Sequence, residues 1–219
     1  MDKEDEALRA SYDRVAAQYA EEFYDELSRK PFDRELLDAY AERVRGATQP
    51  GEVWDVGCGP GHVGRYLADR GVAVRGLDVS ERMVEQARRL NPGIAFVRGT
   101  MLALPVADGT LTGIVSFYAI IHLSRTDAQR ALAEFHRGLR EDGELLLAFH
   151  GGEGELFTDE WFGERVAVHA TLFGGDEMAD YARRAGFVDI EVREREPYPF
   201  EHQTRRVYLS LRKPPGDAR

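Results

Sequence analysis

The chain is poor in cysteine, in lysine and in long apolar runs. Its one cysteine among 219 residues, Cys58, excludes an intrachain disulfide and fits a reducing, cytoplasmic setting. No apolar stretch approaches the roughly 18 residues that a membrane-spanning helix needs. The acidic start Met1-Asp2-Lys3-Glu4-Asp5-Glu6 lacks the apolar segment of a secretory signal, so neither a leader nor a membrane partner is expected. Excess positive charge is missing too. The formal net charge is −10, lysine stands only at positions 3, 30 and 213, and no dense Lys/Arg run exists. DNA and RNA are therefore excluded as expected partners. No HxxxH pattern or Cys/His cluster has the spacing of a metal site, so no metal is expected. Internal repeats and low-complexity tracts are absent as well. What remains is a globular chain, 43% hydrophobic and 31% charged, long enough for one α/β domain over 1–219, as a monomer or a homodimer.

Residues 5–29 place Leu8, Tyr12, Val15, Ala16, Tyr19, Phe23 and Leu27 at helical spacing. A second helical stretch, Phe32 to Arg45, ends at Gly46 and the Gln49-Pro50-Gly51 turn. From residue 52 strands and helices alternate. Strands are expected at 53–57, 73–78, 94–97, 113–117 and 144–149, then near 187–194 and 205–212. Between them fall a helix reaching Arg70, one over 81–90 with Ser80 as N-cap, one opened by the capping sequence Ser124-Arg125-Thr126-Asp127, and one over 175–185. Such alternation implies a parallel sheet with helices on both faces. Ligands of these sheets bind beyond the carboxyl ends of the strands. That rule gathers Gly57–Gly61, Asp78, Gly99–Leu102, Phe117–His122 and His150 around one crevice.

Val53-Trp54-Asp55-Val56-Gly57-Cys58-Gly59-Pro60-Gly61 is the most informative stretch. It reads as a buried strand running into a glycine-rich turn and a helix. Asp55 is a carboxylate where a core strand should be apolar. The glycines admit positive φ and let a ligand approach the backbone, and the helix from about His62 aims its first N–H groups at the same place. Gly59-Pro60-Gly61-His62-Val63-Gly64 also matches the dinucleotide pattern GxGxxG. In that pattern the first glycine follows the strand directly. Here Gly57 does so, and counting from it puts His62 where the third glycine belongs. An NAD(P)-dependent oxidoreductase is thus the alternative reading.

These residues resemble the first motif of the class I S-adenosylmethionine-dependent methyltransferases of small-molecule type, carried by Asp55-Val56-Gly57-Cys58-Gly59-Pro60-Gly61. Gly76-Leu77-Asp78-Val79-Ser80, Leu104-Pro105-Val106-Ala107-Asp108, the approach Leu139 to Leu147 and Ala185-Gly186-Phe187 resemble later segments of that family in order, over about residues 50–212. The resemblance implies a Rossmann-like, doubly wound, seven-stranded, mostly parallel sheet. It also implies an N-terminal helical lid at 1–49, a cofactor-binding core at 50–150, and an acceptor-pocket insert with the last strands at 151–219. S-adenosylmethionine is the cofactor it implies. Gly57, Gly59 and Gly61 would meet its methionine part, with Cys58 in the same cofactor-binding loop and Asp55 orienting the loop or meeting the cofactor's ammonium through the loop or a water. Asp78 would accept the ribose hydroxyls. Val79 and Met83 would flank the adenine, although Met83 serves equally as core. Gly99, Thr100, Met101, Leu102 and Phe117 complete the expected set, together with Tyr19 from the lid motif Tyr12-Asp13-Arg14-Val15-Ala16-Ala17-Gln18-Tyr19. Two positions depart from the family: Thr100 stands where an acidic residue is common, and Leu111-Thr112 where Phe-Asp is common.

The resemblance implies methyl transfer to an oxygen, nitrogen or carbon nucleophile of a small organic acceptor. A non-catalytic cofactor-binding relative is the further alternative. His122 is the candidate general base, since imidazole titrates near neutral pH, the alternative being a locally hydrogen-bonded histidine. Tyr118 is the second catalytic candidate, or else fills the core. Gly151-Gly152-Glu153-Gly154 reads as a hinge into Phe157–Phe162, and His150, Trp161, Phe173 and His202 are the expected acceptor-pocket residues.

Overall fold

The computed structural model describes residues 3–47 and 51–216. Helix α1 (Lys3–Phe23) is followed by a 3-10 turn (Glu26–Arg29) and α2 (Pro31–Arg45). The expected single stretch 5–29 is therefore broken after Phe23. There the Tyr24 hydroxyl reaches Asn91 Oδ1 at 2.6 Å, and the chain turns into Pro31, whose fixed φ opens α2. Gln49 and Pro50 of the expected turn lie outside the described residues.

The alternating part runs β1 (Val53–Val56), α3 (His62–Ala68), β2 (Val74–Asp78), α4 (Glu81–Leu90), β3 (Ala95–Arg98), β4 (Leu111–Phe117), α5 (Arg125–Gly138) and β5 (Leu139–Gly151). The chain then makes β6 (Glu155–Trp161), β7 (Glu164–Thr171), α6 (Gly175–Arg184), β8 (Val188–Arg195) and β9 (Arg205–Arg212). Both expected serine caps are made: Ser80 Oγ accepts the Met83 N–H (3.0 Å) and Ser124 Oγ the Asp127 N–H (3.1 Å).

Seven strands form one sheet in the order β3-β2-β1-β4-β5-β9-β8. All neighbours pair in parallel except β9, which is antiparallel to both β5 and β8. The sheet is buried on both faces, and successive residues of β5 show it. Leu145, Leu147 and Phe149 join α5 and α6 in one core, while Leu146 and Ala148 join α2 and α3 in the other. The chain order reverses at β1 and β4, and this is the switch point beyond which ligands of such sheets bind.

The remaining two strands, β6 and β7, form a separate antiparallel hairpin where only an insert was expected. Helix α1 lies between this hairpin and α4. The Ala167 N–H donates to Ser11 Oγ (2.8 Å) on one side, and Asp13 Oδ1 accepts from Ser80 Oγ (2.7 Å) and the Arg82 N–H (3.1 Å) on the other. No helix among the described residues is long and apolar enough to cross a membrane.

Candidate active site

Beyond the carboxyl ends of β1, β2 and β4 lie two adjoining cavities. The first is narrow, about 100 Å³, and the second holds about 620 Å³. Tyr12, Tyr19, Tyr118 and His122 line both, so the two meet at these four side chains.

The glycine loop builds one wall of the first cavity. Gly57 (φ +76) and Gly59 (φ +51) both adopt backbone that L side chains rarely take. A Cβ on Gly57 would lie 2.1 Å from Ala119 Cβ, so the loop could not pack on the turn after β4. A Cβ on Gly59 would meet nothing nearer than Tyr19 Cε1 at 3.9 Å, which means it would project into the cavity. Asp78, at the end of β2, ties the loop down. Its Oδ2 accepts the Gly59 N–H (2.8 Å) and its Oδ1 the Ser80 N–H (2.9 Å). Each oxygen keeps a lone pair for another donor. Burial pushes this carboxyl up to about 6, against its backbone hydrogen bonds, so further donors on it would be favourable.

Val79, Met83, Gly99, Thr100, Met101, Phe117 and Tyr19 also line this cavity. Four residues expected beside them do not. Asp55 lies buried beneath the loop, where Oδ2 accepts the Gly64 N–H (2.8 Å) and burial holds its carboxyl up at about 7. Cys58 points to the far side, against Val84, Ala87 and Phe96. Gly61 (φ +83) is the N-cap of α3, and a Cβ there would strike Asn91 and Phe96 at 2.7 Å. Leu102 packs against the main core, with its N–H on Thr100 Oγ1 (3.2 Å). These residues shape the loop from behind. The set nevertheless fits a nucleoside carrying an amino-acid tail: a diol acceptor at Asp78, apolar walls for a base, and open space where Gly59 lacks a side chain.

His122 is held between α1 and β7. Its Nδ1 faces the His169 carbonyl of β7 at 2.7 Å, and its Nε2 faces the Tyr12 hydroxyl of α1 at 2.7 Å. A carbonyl only accepts, so Nδ1 carries the proton and Nε2 is the lone-pair nitrogen, to which Tyr12 donates. Burial lowers the imidazole below its ordinary 6.5, keeping it neutral, and burial raises the Tyr12 phenol. Tyr12 is the residue that sequence reasoning missed as a site group. It lies seven positions before Tyr19, on the same helical face, and that spacing was the available signal.

Tyr118 sits just past β4 with φ +57, unusual for a residue with a Cβ. Its hydroxyl donates to Asp33 Oδ1 (3.2 Å) and lies 3.3 Å from the Tyr208 hydroxyl. The ring, not the hydroxyl, therefore faces the cavities. His150, Trp161 and His202 line the second cavity, as do Phe23, Phe157, Phe162 and Phe200. Phe173 does not. It is fully buried, 6.2 Å from the Phe149 ring, because it forms an isolated bridge with Gly151 at the end of β5. Among the groups that composition did not reveal are Lys30 and Arg206, both buried at the floor of this cavity.

Residues 53–143 match the family model described as a methyltransferase domain. The malonyl-[acyl-carrier protein] O-methyltransferase of Geobacter sulfurreducens is 33% identical over 206 residues, covering 84% of this chain and 71% of that protein. The demethylmenaquinone methyltransferase of Beutenbergia cavernae is 34% identical over 165 residues, covering 74% of this chain and 62% of that protein, so the chain spans less than two thirds of this second relative. Among solved structures, a SAM-dependent methyltransferase from Methanosarcina mazei shares the fold with a TM-score of 0.68 at 18% identity, over 78% of this chain and 96% of that one.

Proposed function

The chain belongs to the class I S-adenosylmethionine-dependent methyltransferases, and from that membership we propose that it methylates a small organic acceptor held in the second cavity, with His122 as general base. The observation that carries this reading is the junction: the lone-pair nitrogen of a half-buried histidine stands where the two cavities meet.

The cofactor, S-adenosylmethionine, would supply a methyl group that an in-line nucleophile takes as the C–S bond breaks, with neutral S-adenosylhomocysteine leaving. Asp78 takes its ribose hydroxyls, Gly57 and Gly59 leave room for its methionine end, and Val79 and Met83 flank its base. Tyr19 and Tyr12 close the cavity from α1 and exclude water. The protein then has to hold an acceptor ~3 Å from the methyl and aligned with it. His122 Nε2 receives the acceptor's proton, either by the acceptor taking the place of the Tyr12 hydroxyl or through that hydroxyl. The His169 carbonyl on Nδ1 stabilises the imidazolium that forms. Helix α1 thus acts as the lid, the part from β1 to β5 as the cofactor core, and the β6–β7 hairpin as acceptor wall, while α2 packs on the sheet.

The two named relatives take chemically unlike acceptors, malonyl-[acyl-carrier protein] and demethylmenaquinone. Acceptor choice is accordingly assigned to the second cavity and not to the glycine loop. The test is calorimetric titration of the purified protein with S-adenosylmethionine, S-adenosylhomocysteine and NADH, followed by an acceptor screen with labelled methyl groups. Binding of the first two alone, with transfer lost in His122→Ala, is expected. Binding of NADH alone would return the glycine loop to the dinucleotide reading.

A further inference from the structure

The second cavity contains a buried cation that the protein leaves incompletely partnered. Arg206, at the start of β9, is 3% exposed, and strand pairing sets it opposite His150. Its Nη1 donates to Thr204 Oγ1 (2.7 Å) and to the Thr204 carbonyl, and its Nη2 to the His202 carbonyl (3.0 Å). All three acceptors are neutral. Among the described residues its buried Nε finds no hydrogen-bond acceptor, and the only carboxylate within reach, Glu201, stays 3.6 Å away. A buried charge without a hydrogen-bonded counter-charge is costly.

Glu201 stands in ion-pair range of Arg206 but takes its hydrogen bonds from other donors. It accepts Arg195 Nη1 (2.6 Å), Arg195 Nη2 (3.0 Å) and the Tyr198 N–H (2.8 Å), which keep it ionised at about 2 against the cost of burial. Lys30, 5% exposed, gives one N–H to Glu26 (2.7 Å) and reaches Glu201 only at 3.4 Å. Glu26 in turn also takes His62 (3.2 Å). Both acids at this floor are thus hydrogen-bonded, while the two buried cations retain donors. Both cations approach one side chain: Lys30 Nζ lies 5.0 Å and Arg206 Cζ 5.6 Å from the centre of the Tyr118 ring. Tyr118 also borders the cofactor cavity. His150, 5.3 Å from that ring, is driven down to about 3 by burial and then by the charge of Arg206, so it faces this floor uncharged.

We propose that Arg206 and Lys30 bind a carboxylate carried by the methyl acceptor, which seats this anion beside Tyr118 and leaves its nucleophile at His122. Trp161, Phe157 and Phe200 then enclose the apolar body between the two ends. The acceptor is an aromatic or apolar acid. This assignment rests on the methyl-transfer reading, but its test does not need turnover.

Three para-substituted phenols of similar size that carry an anionic, a neutral and a cationic group, para-hydroxybenzoate, para-hydroxybenzamide and para-hydroxybenzylamine, are titrated onto the protein saturated with S-adenosylhomocysteine. The benzoate is expected to bind about tenfold or more tightly than either partner, as a charge-assisted pair requires. Arg206→Gln and Lys30→Met should each erase that preference and leave the S-adenosylhomocysteine affinity unchanged. The wild-type ranking stands as a test even where a variant does not fold. Tightest binding of the amine, equal binding of all three, or no binding of the benzoate at millimolar concentration overturns the proposal. Failure of S-adenosylhomocysteine to bind is a separate result and strikes the methyl-transfer reading instead.

Discussion

Replacing Asp78 by asparagine separates what this carboxylate does for the cofactor from what it does for the fold. In the structure each oxygen already takes one backbone N–H, from Gly59 and from Ser80. An amide of the same shape accepts on one side only, so one of these N–H groups would face an NH₂. Leaving a buried donor unsatisfied costs about 1–3 kcal/mol. In a chain of 219 residues that lowers Tm by about 2–4 °C for each kcal/mol.

The binding loss is larger in proportion. Hydrogen bonds to an ionised group contribute about 1.5–3 kcal/mol each, against about 0.5–1.5 for neutral pairs. Two ribose hydroxyls that lose the charge, one of them now facing a donor, forfeit about 2–4 kcal/mol, or about 30- to 800-fold in affinity. Calorimetry with S-adenosylhomocysteine reads the affinity, and thermal unfolding reads the fold. A pH series adds an internal control. Burial holds the Asp78 carboxyl at about 6, so in the wild type it is protonated below that pH and ionised above. Ribose hydroxyls donate better to the ionised form. Affinity should therefore climb about tenfold per pH unit up to about 6 and then level, and Asp78→Asn should lose this limb. A folded Asp78→Asn protein that binds S-adenosylhomocysteine within threefold of wild type would refute the assignment.

Three further outcomes follow from the same geometry. His122→Asn should reduce methyl transfer about 10²- to 10⁴-fold while leaving S-adenosylhomocysteine affinity within threefold, and a comparable loss of both would make the residue merely structural. Because burial lowers the His122 pKa, the rising limb of wild-type kcat/KM against pH should have its midpoint below 6.5, with full activity above it; a midpoint above 6.5 contradicts a half-buried neutral base. Gly57→Ala and Gly59→Ala should divide cleanly: the first drives a Cβ into Ala119 and destabilises the fold by about 2 kcal/mol or more, whereas the second costs about 1 kcal/mol of backbone strain yet blocks the cofactor, as unfolding and calorimetry will show.

The parts of the fold that were legible in the sequence are those written in local chemistry. Strand–helix alternation gave the sheet, and the serines at 80 and 124 marked two helix starts because a hydroxyl there meets a backbone N–H three residues on. The glycine loop and Asp78 were legible for the same reason: positive φ and a carboxylate at a strand end are local facts. The hairpin of β6 and β7 was not. Asp159 and Glu160 interrupt its alternation at a bulge, so the stretch reads as polar loop rather than strand. Phe173 misled because an aromatic residue among histidines has the composition of a pocket wall, while its actual address depends on a bridge to Gly151.

The illegible half of the site has one physical cause: its side chains converge only through long-range pairing. Arg206 comes opposite His150 because β9 runs antiparallel to β5, and Lys30 reaches the Tyr118 ring because Pro31 starts α2 where it does. Tyr12 is the sharpest instance. Its helical face was evident, but a face says nothing of what it covers. Asp13 fastens α1 to the N-terminus of α4, and Ser11 fastens it to β7, one residue to either side of Tyr12. The same strand β7 supplies the His169 carbonyl that sets the His122 tautomer. The contacts of α1 with α4 and with β7 thus converge on a single hydrogen bond between Tyr12 and His122.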